Sequence, residues 1–364
     1  MFSKITNRKL KALFFYIASW IVGCLAFISL YYYGVPNVLD QAFYLYIFQF
    51  SIFTGLSQGI YDVLILQDDK DHRHIIAALI IRSLYLALTV ILNVGLCVLV
   101  GSLYSEGRLI TENSLAQLGV HFSLPSTKVF ILYAFILGYL INFVRSVHKK
   151  FGTRVFINTL LGKYQTPIEE DRVFMFIDLR RSTELAETLG HMVYSQFLSD
   201  YYHYVSNCCE ENQGEIYQIV GDGVYITWPM RKCRKKPRPV ICFFDLKHTL
   251  ENLAPNFRNK YGVVPSFKAA VHGGVVVVNE VGNFGSEMAY HGDVLNTTAR
   301  LQSLCSKIQQ EFLISEELLH KLHGLEIYSP TVEGRFDLKG KSTCVVAYSL
   351  KKPFSTKDSL EQIS

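Results

Sequence analysis

Residues 174–183 read FMFIDLRRST, so that four apolar residues lead directly into Asp178 and a Ser-Thr pair follows shortly after it. The apolar run predicts a buried strand, and Ser182 with Thr183 predicts the start of a helix. A strand that delivers a carboxylate beside a helix N-terminus offers a place to hold metal ions and phosphate. A strand that ends in a helix-capping aspartate gives the same local pattern, so this stretch alone leaves both interpretations open.

A second acidic position lies in the sequence Val220-Gly221-Asp222-Gly223, between the strand-like runs 215–220 and 224–228. An Asp-Gly pair between apolar strands is first of all the signature of a tight hairpin turn. Considered together with Asp178, it also supplies a second carboxylate of the kind that binds divalent cations. The two aspartates are therefore candidate metal ligands.

The segments around these aspartates predict a domain built from strands and helices. Apolar residues recur largely at every fourth position from Leu185 to Val205, which predicts one long amphipathic helix. Further helices are predicted at 240–261 and from residue 293, where Asn296 and Arg300 project from one helical face. The order β-α-ββ-α-β-(β)-α-β-α-ββ predicts an α+β domain with a mostly antiparallel sheet, related to the ferredoxin-like plan.

The first part of the chain has the composition of a membrane domain. Of the 364 residues, 50% are hydrophobic and only 18% are charged, and nearly all the long uncharged runs lie before residue 145. A soluble protein carries closer to a quarter of charged residues. Four runs are long enough to cross a bilayer as helices, at about residues 12–33, 41–62, 80–103 and 127–145.

Basic residues predict the orientation of these four spans. They precede the first span at Lys4, Arg8, Lys9 and Lys11, and they follow the fourth at Lys149 and Lys150. Such flanks stay in the cytoplasm, so four spans with both termini inside satisfy every loop. We therefore expect a multi-pass protein of the cell (inner/plasma) membrane. It combines an all-α four-helix transmembrane domain (1–145), a cytoplasmic linker or transducer (146–171), the cytoplasmic α+β domain (172–351) and a tail (352–364).

Taken together, the motifs of the second half resemble the class III nucleotidyl cyclase catalytic domain over about residues 170–350. The resemblance rests on Phe-Ile-Asp at 176–178, Gly-Asp-Gly at 221–223, Gly-Asp-Val-Leu-Asn at 292–296 with Arg300, and Leu-Lys-Gly at 338–340. Diguanylate cyclases use the same core, but their hairpin reads Gly-Gly-(Asp/Glu)-Glu-Phe. Since the turn here reads Gly-Asp-Gly, that family is set aside.

The resemblance implies a membrane-bound adenylate cyclase that converts ATP to 3′,5′-cyclic AMP and pyrophosphate. It implies two ions of Mg²⁺ or Mn²⁺ per active site, held by Asp178, Asp222 and the carbonyl of Ile177. It implies that Asn296 orients the ribose and that Arg300 stabilises charge on the α-phosphate. The implied nucleotide- and phosphate-binding residues are Leu179, Arg180, Arg181, Ser182, Thr183, Gly221 and Lys339. A single such domain pairs with a second copy, so a homodimer is expected to complete two active sites.

Two positions depart from the family pattern. The base-reading residues correspond to Gln218 and Ala289, where lysine with aspartate or threonine marks adenine and glutamate with cysteine marks guanine. A glutamine amide both donates and accepts, so a guanylate cyclase acting on GTP is the alternative. The pair Arg181-Ser182 stands where the family often has Gly-Phe. Arg181 either contacts phosphate or points outward.

The cysteines and the basic run 231–238 indicate which other kinds of site are expected. None of the eight cysteines forms a C-x-x-C pair, so reduced thiols are expected rather than a zinc site. The basic run 231–238 either touches anionic lipid or is simply solvated. No aromatic residues interleave with its charges, and no nucleic-acid partner is expected.

A catalytically inactive cyclase fold, serving as a membrane signalling module, is the competing class. The presence of both aspartates together with Asn296 and Arg300 favours an active enzyme.

Overall fold

The computed structural model describes residues 2–31, 33, 41–64, 75–106, 116, 119–120, 122–151, 162–282, 287–337 and 344–351. Its internal contacts divide the chain into two units, Met1–Phe156 and Ile157–Ser364. The predicted linker between the two domains falls partly on residues 152–161, which lie outside the described part of the chain.

The described part of the first unit is helical. Its long helices are α1 (Phe2–Tyr31), α2 (Gln41–Leu64), α3 (Ile75–Glu106) and α4 (Pro125–Phe151). Three segments within them are long and apolar enough to cross a membrane, namely Lys9–Tyr31, Ile81–Val100 and Pro125–Ser146. Helix α2 occupies the place of the second predicted span but is not one of these three. Apolar helices thus fit a membrane domain, and the count of four spans remains a prediction.

Polar side chains inside this first unit bond mainly from one helix to another. The indole nitrogen of Trp20 donates to Gln58 Oε1 at 3.2 Å, and Asn93 Nδ2 donates to Thr54 Oγ1 at 2.6 Å. Gln49 differs, because both polar atoms of its side chain are buried without a hydrogen-bond partner. Gln58 and Asn93 therefore have the structural role that polar residues most often have in helical bundles.

The second unit contains one sheet and several helices. The strands are β1 (Ile168–Leu179), β2 (Glu215–Val220), β3 (Gly223–Pro229), β4 (Phe267–Val281), β5 (Glu287–His291), β6 (Phe312–Ser315), β7 (Thr331–Phe336) and β8 (Val345–Ser349). The helices are α5 (Ser182–Leu189), α6 (His191–Glu211), α7 (Met230–Cys233), α8 (Arg238–Asn252), α9 (Ala254–Tyr261), α10 (Asp293–Lys307) and α11 (Glu316–Leu319), with a 3₁₀ turn at Glu326–Tyr328.

The sheet has the order β2-β3-β1-β4-β6-β8-β7, with β5 paired to β4 outside this path. Strands β4 and β6 run parallel, because α10 carries the chain back before β6 begins. The other described pairings are antiparallel. The sheet is therefore mixed, with one parallel pairing among the seven described, whereas the sequence predicts a mostly antiparallel sheet.

Two helices predicted as continuous are interrupted. The helix expected to run on from Ser182 breaks at Gly190, whose φ of 73° favours glycine and separates α5 from α6. The helix expected at 240–261 divides at Leu253 into α8 and α9. The predicted basic loop also contains the short helix α7, so it is only partly a loop.

Strand β1 lies at the centre of the main core. Its residues Val173, Met175 and Ile177 are fully buried and belong to the same core cluster as Phe197 and Tyr201 of α6. Phe174 points to the opposite face and joins a separate cluster. Burial on both faces anchors β1, so the carboxyl end of the strand is a rigid place for a functional side chain.

Candidate active site

Asp178 is the next-to-last residue of β1, where the buried strand reaches the surface of the domain. It pairs with Lys268 of β4, and the preceding Ile177 pairs with Val224 of β3. The Asp178 carboxylate accepts a hydrogen bond from Gln302 Nε2 at 2.9 Å, and Lys268 Nζ lies 3.4 Å from the same oxygen. The carboxylate is thus held from two sides by groups of its own chain.

Asp222 lies in the turn that joins β2 to β3. Val220 pairs with Gly223 across this turn, and Gly221 adopts a φ of 61° that an L-residue rarely takes. Because β3 runs antiparallel beside β1, the turn comes next to the end of β1 and brings Asp222 close enough for its charge to raise the pKa of Asp178. The hairpin predicted from the Asp-Gly signature is therefore also the element that pairs the two carboxyls.

The charge of Asp222 is one of the groups that oppose ionisation of Asp178. Burial and then the neighbouring charge of Asp222 raise the pKa of Asp178, while the hydrogen bond from Gln302 and the charge of Lys268 act in the opposite direction. Asp222 Oδ2 is buried and has no hydrogen-bond partner. A buried acceptor without a donor is costly unless a ligand completes it.

This pair fits divalent cations with oxygen ligands. Within the described ranges, no group of three or more His, Cys, Asp or Glu side chains gathers at one place. Magnesium sites commonly use only one or two carboxylates and take their remaining ligands from water and substrate phosphates. Asp178 and Asp222, with the unpaired Oδ2 of Asp222, match such a donor set.

The residues after Asp178 divide into different environments. Leu179 is buried at the end of β1, and the amide of Arg180 donates to the Ser266 carbonyl at 2.8 Å. Arg180 Nη2 donates to the Gln310 carbonyl at 3.1 Å, so its side chain is bound within the domain. Arg181 has a left-handed φ of 56° and a side chain that is 80% exposed. Its guanidinium Nε lies 3.8 Å from Glu184 Oε2.

Helix α5 begins directly after these residues. Ser182 and Thr183 form its first turn, and Arg181 in the N-cap position makes no side-chain hydrogen bond to the helix. The first amides of a helix have no intrahelical acceptor and attract anions. Among the residues predicted to bind phosphate, Ser182 and Thr183 are thus placed where backbone amides can do so.

Helix α10 carries Asn296 and Arg300 and also contacts Asp178 through Gln302. Arg300 Nη1 is buried without a hydrogen-bond partner, while Asn296 is exposed. In an α-helix, residue 302 is rotated by roughly 160° from residue 300 and by about 120° from residue 296. Since Gln302 faces Asp178, Asn296 and Arg300 face away from the Asp178 of their own chain.

The two base-reading positions lie on separate strands, Gln218 on β2 and Ala289 on β5. Gln218 is exposed and pairs with Tyr225, and Ala289 pairs with Asn279. Their chain neighbours Tyr217 and Tyr290 touch, with ring centroids 4.8 Å apart in an edge-to-face arrangement. Lys339, the predicted contact to the terminal phosphates, lies outside the described residues, as does Lys341.

The family model described as "Adenylate and Guanylate cyclase catalytic domain" matches residues 166–352, which is more than half of the chain. The chain belongs to the class III cyclase family. The resemblance inferred from the motifs is thereby confirmed, and the fold described above is that of a class III cyclase domain.

The chain is similar to several proteins named as adenylate cyclases. The chain is 35% identical over 227 residues to "Adenylate cyclase 2" of Rhizobium meliloti (strain 1021), a match that covers 62% of each protein. It is also similar to two structures of a bacterial light-regulated adenylyl cyclase, at 15% and 16% identity and TM-scores of 0.52 and 0.50. These matches cover 62% and 63% of this chain and 66% and 67% of the other. At such identities the structures show a shared fold.

The structure adds three residues to the candidate site that sequence patterns did not indicate. Lys268 and Gln302 contact Asp178, and the Tyr202 hydroxyl donates to the carbonyl of Gly221 in the turn that carries Asp222. Gln302 stands two residues after Arg300 in the helix, which is the only local signal for it. Lys268 and Tyr202 have no such signal, since their proximity arises from strand pairing and helix packing.

Proposed function

We propose that the protein is a membrane-bound adenylate cyclase that forms 3′,5′-cyclic AMP and pyrophosphate from ATP on the cytoplasmic side of the cell membrane. The observation that carries this proposal is the pairing of Asp178 with Asp222 beside the first turn of α5. Two neighbouring carboxyls beside a helix N-terminus are the donor set that a cation-dependent reaction at a phosphate requires.

The metal half of the site would come from one chain. Asp178 and Asp222, with the Ile177 carbonyl, would hold two ions of Mg²⁺ or Mn²⁺. Such ions, when bound, lower the pKa of the ribose 3′-hydroxyl and neutralise charge on the triphosphate. The amides at the start of α5 would receive phosphate oxygens, and Lys339 would contact the terminal phosphates.

The other half of the site would come from a second copy of the chain. Asn296 and Arg300 lie on the face of α10 that turns away from their own Asp178, so they are placed to serve the site of a partner. There Asn296 would orient the ribose while the 3′-oxygen forms its bond to the α-phosphorus. Arg300 would stabilise the charge that builds up as the bond to pyrophosphate breaks. A homodimer with two equivalent sites follows.

Adenine is the proposed base because the named relative at 35% identity is an adenylate cyclase. Guanine is the second candidate, because the Gln218 amide both donates and accepts and Ala289 offers no polar side chain. The membrane helices would anchor the dimer and could regulate it by changing how the two catalytic domains meet.

The test uses the purified full-length protein in detergent or vesicles with Mg²⁺ or Mn²⁺, offered ATP and GTP separately. We expect cyclic AMP from ATP, little or no cyclic GMP from GTP, and no product from Asp178→Ala. Cyclic GMP alone would replace adenine by guanine. Absence of either product, with Asp178→Ala indistinguishable from the wild type, would favour an inactive signalling module.

A further inference from the structure

Arg172 of β1 is a buried cation outside the catalytic residues discussed above. Its side chain is 1% exposed, yet it carries a full charge in the interior of the second unit. Burying a charged group is costly unless it is paired and hydrogen-bonded. The partners of Arg172 therefore indicate what the residue contributes.

The guanidinium group binds three neighbouring positions in the sheet. Arg172 Nε donates to Thr227 Oγ1 of β3 at 3.1 Å, and Nη1 donates to Glu170 Oε2 of β1 at 2.8 Å. Nη2 donates to Glu215, the first residue of β2. The planar fork of arginine suits several fixed acceptors at once, which the single ammonium group of lysine does not.

Arg172 also reaches β5 through an aromatic ring. Its guanidinium carbon lies 5.0 Å from the centroid of the Tyr290 ring, a cation–π distance. The Tyr290 ring contacts Tyr217 of β2 at 4.8 Å and Phe174 of β1 at 5.3 Å. We call Arg172, Glu215, Tyr217, Tyr290 and Phe174 the Arg172 cluster.

The Arg172 cluster joins two strands that do not pair with each other. Strand β2 is hydrogen-bonded to β3, and β5 is hydrogen-bonded to β4, with β1 between these two pairs. Among the described pairings, backbone hydrogen bonds therefore link β2 to β5 only indirectly, through β3, β1 and β4. The distance between β2 and β5 also depends on the Tyr217–Tyr290 contact and on Arg172, which binds Glu215 on one side and Tyr290 on the other.

The positions that correspond to the base-reading residues adjoin this contact. Gln218 directly follows Tyr217, and Ala289 directly precedes Tyr290. Neither Gln218 nor Ala289 has the side chain that the family uses for one purine, so the spacing of their strands matters more for selection. We propose that Arg172 is a positioning residue that sets the width of the nucleobase pocket and thereby its preference between ATP and GTP. This inference rests on the proposed function.

The test compares Arg172→Lys with the wild type as full-length protein. The lysine keeps the positive charge but lacks the planar guanidinium group that binds several acceptors at once. We expect the KM for ATP to rise about tenfold and the preference for ATP over GTP to fall by about the same factor. The kcat at saturating ATP should stay within roughly threefold of the wild-type value. Inhibition by pyrophosphate should not change, because the residues proposed to bind metal and phosphate are not members of the Arg172 cluster. Arg234→Met, which removes an exposed arginine 3.6 Å from Asp171, is the control and should match the wild type.

A second variant covers the case in which Arg172→Lys fails to fold. Tyr217→Leu removes the ring that bridges β2 to β5 and leaves every ionic partner of Arg172 in place, so the same change in KM and base preference is expected. Unchanged KM and base preference in either folded variant would overturn the proposal. The proposal would also be overturned if kcat and pyrophosphate inhibition fell in proportion to the change in KM, because such parallel losses indicate general damage to the domain.

The failure of this inference is distinguishable from the failure of the proposed function. If the wild type forms no cyclic nucleotide, the proposed function fails on its own. Equilibrium binding of α,β-methylene analogues of ATP and GTP then measures the pocket without turnover. Base discrimination equal in the wild type and in both variants would overturn the role of Arg172.

Discussion

Asp178 and Asp222 lie close enough for the charge of Asp222 to raise the pKa of Asp178, and the two side chains differ in their other contacts. Asp178 has Gln302 and Lys268 as partners, whereas Asp222 Oδ2 is buried without one. The pair is therefore incomplete in the protein alone. A divalent cation would complete the unpartnered Oδ2 of Asp222 and add positive charge beside both carboxyls.

The raised pKa of Asp178 predicts how the metal-free protein responds to pH. Because burial and the charge of Asp222 raise this pKa above that of an unfolded aspartate, ionising Asp178 opposes folding. The favourable contribution is complete below the unfolded pKa and is lost as pH rises through the folded pKa. With chelator present, we expect Asp178→Asn to unfold at a higher temperature than the wild type at neutral pH, and the difference to shrink in mild acid. A difference that does not depend on pH would contradict this assignment.

Arg300 is expected to act on the rate rather than on folding. Replacing it by alanine removes a donor positioned for charge on the α-phosphate, which should lower kcat on the order of 10²–10³-fold. The melting temperature should change little, since Arg300 Nη1 has no partner in the protein to lose. Arg258→Ala, an exposed arginine of α9, is the matched control and should retain full activity. Equal activity of the two variants would exclude Arg300 from the site.

The β2–β3 hairpin is the element that places Asp222. Gly223 is the first residue of β3, and the packing around it leaves little space for a side chain. A Cβ at Gly223 would lie 2.6 Å from Phe176 Cε2 and 2.8 Å from Phe176 Cζ. Phe176 stacks on Tyr225 with ring centroids 4.2 Å apart, so neither ring has room to move freely. Substitution at Gly223 must therefore shift the turn or the rings.

Gly223→Ala is expected to weaken both folding and cation binding. Overpacking of this kind costs about 1–3 kcal/mol, and the shifted turn carries Asp222 away from Asp178. Thermal unfolding and the release of bound Mn²⁺, followed by electron paramagnetic resonance, measure the two effects. Gly190→Ala, which meets no atom within 4 Å but has a φ of 73°, should cost about 1–3 kcal/mol by backbone strain. Its Mn²⁺ affinity should stay near that of the wild type, and an equal loss in both variants would contradict the role of the hairpin.

The strand and the hairpin that carry the two aspartates could be predicted from local signals in the sequence. The apolar run before Asp178 and the turn chemistry of Gly221 and Asp222 indicated a strand end and a hairpin, and the structure contains both. The contact of Gln302 with Asp178 joins residues 124 positions apart in the sequence. Periodic patterns of apolar residues do not predict contacts between residues so far apart. The break at Gly190 was missed because apolar residues on both sides keep the helical spacing.

At the scale of the whole molecule, the apolar helices of the first unit predict a membrane protein with both termini in the cytoplasm. We expect a green fluorescent protein fused after residue 364 to fluoresce in intact cells, because this reporter folds in the cytoplasm. Alkaline phosphatase fused after residue 36 or residue 115 should be active, since both positions would lie outside. An active phosphatase at the C-terminus would instead support three spans, the number of segments that are clearly apolar enough.

The central claim is that each active site combines Asp178 and Asp222 of one chain with Asn296 and Arg300 of another. The most direct test mixes Asp178→Ala with Arg300→Ala, two variants that are inactive alone, under conditions that allow subunits to exchange. Half of the dimers are then mixed, and each mixed dimer has one intact site, so about a quarter of the wild-type activity should return. No recovery in a mixture shown to contain mixed dimers would mean that all four residues act within one chain, and the shared site would be wrong.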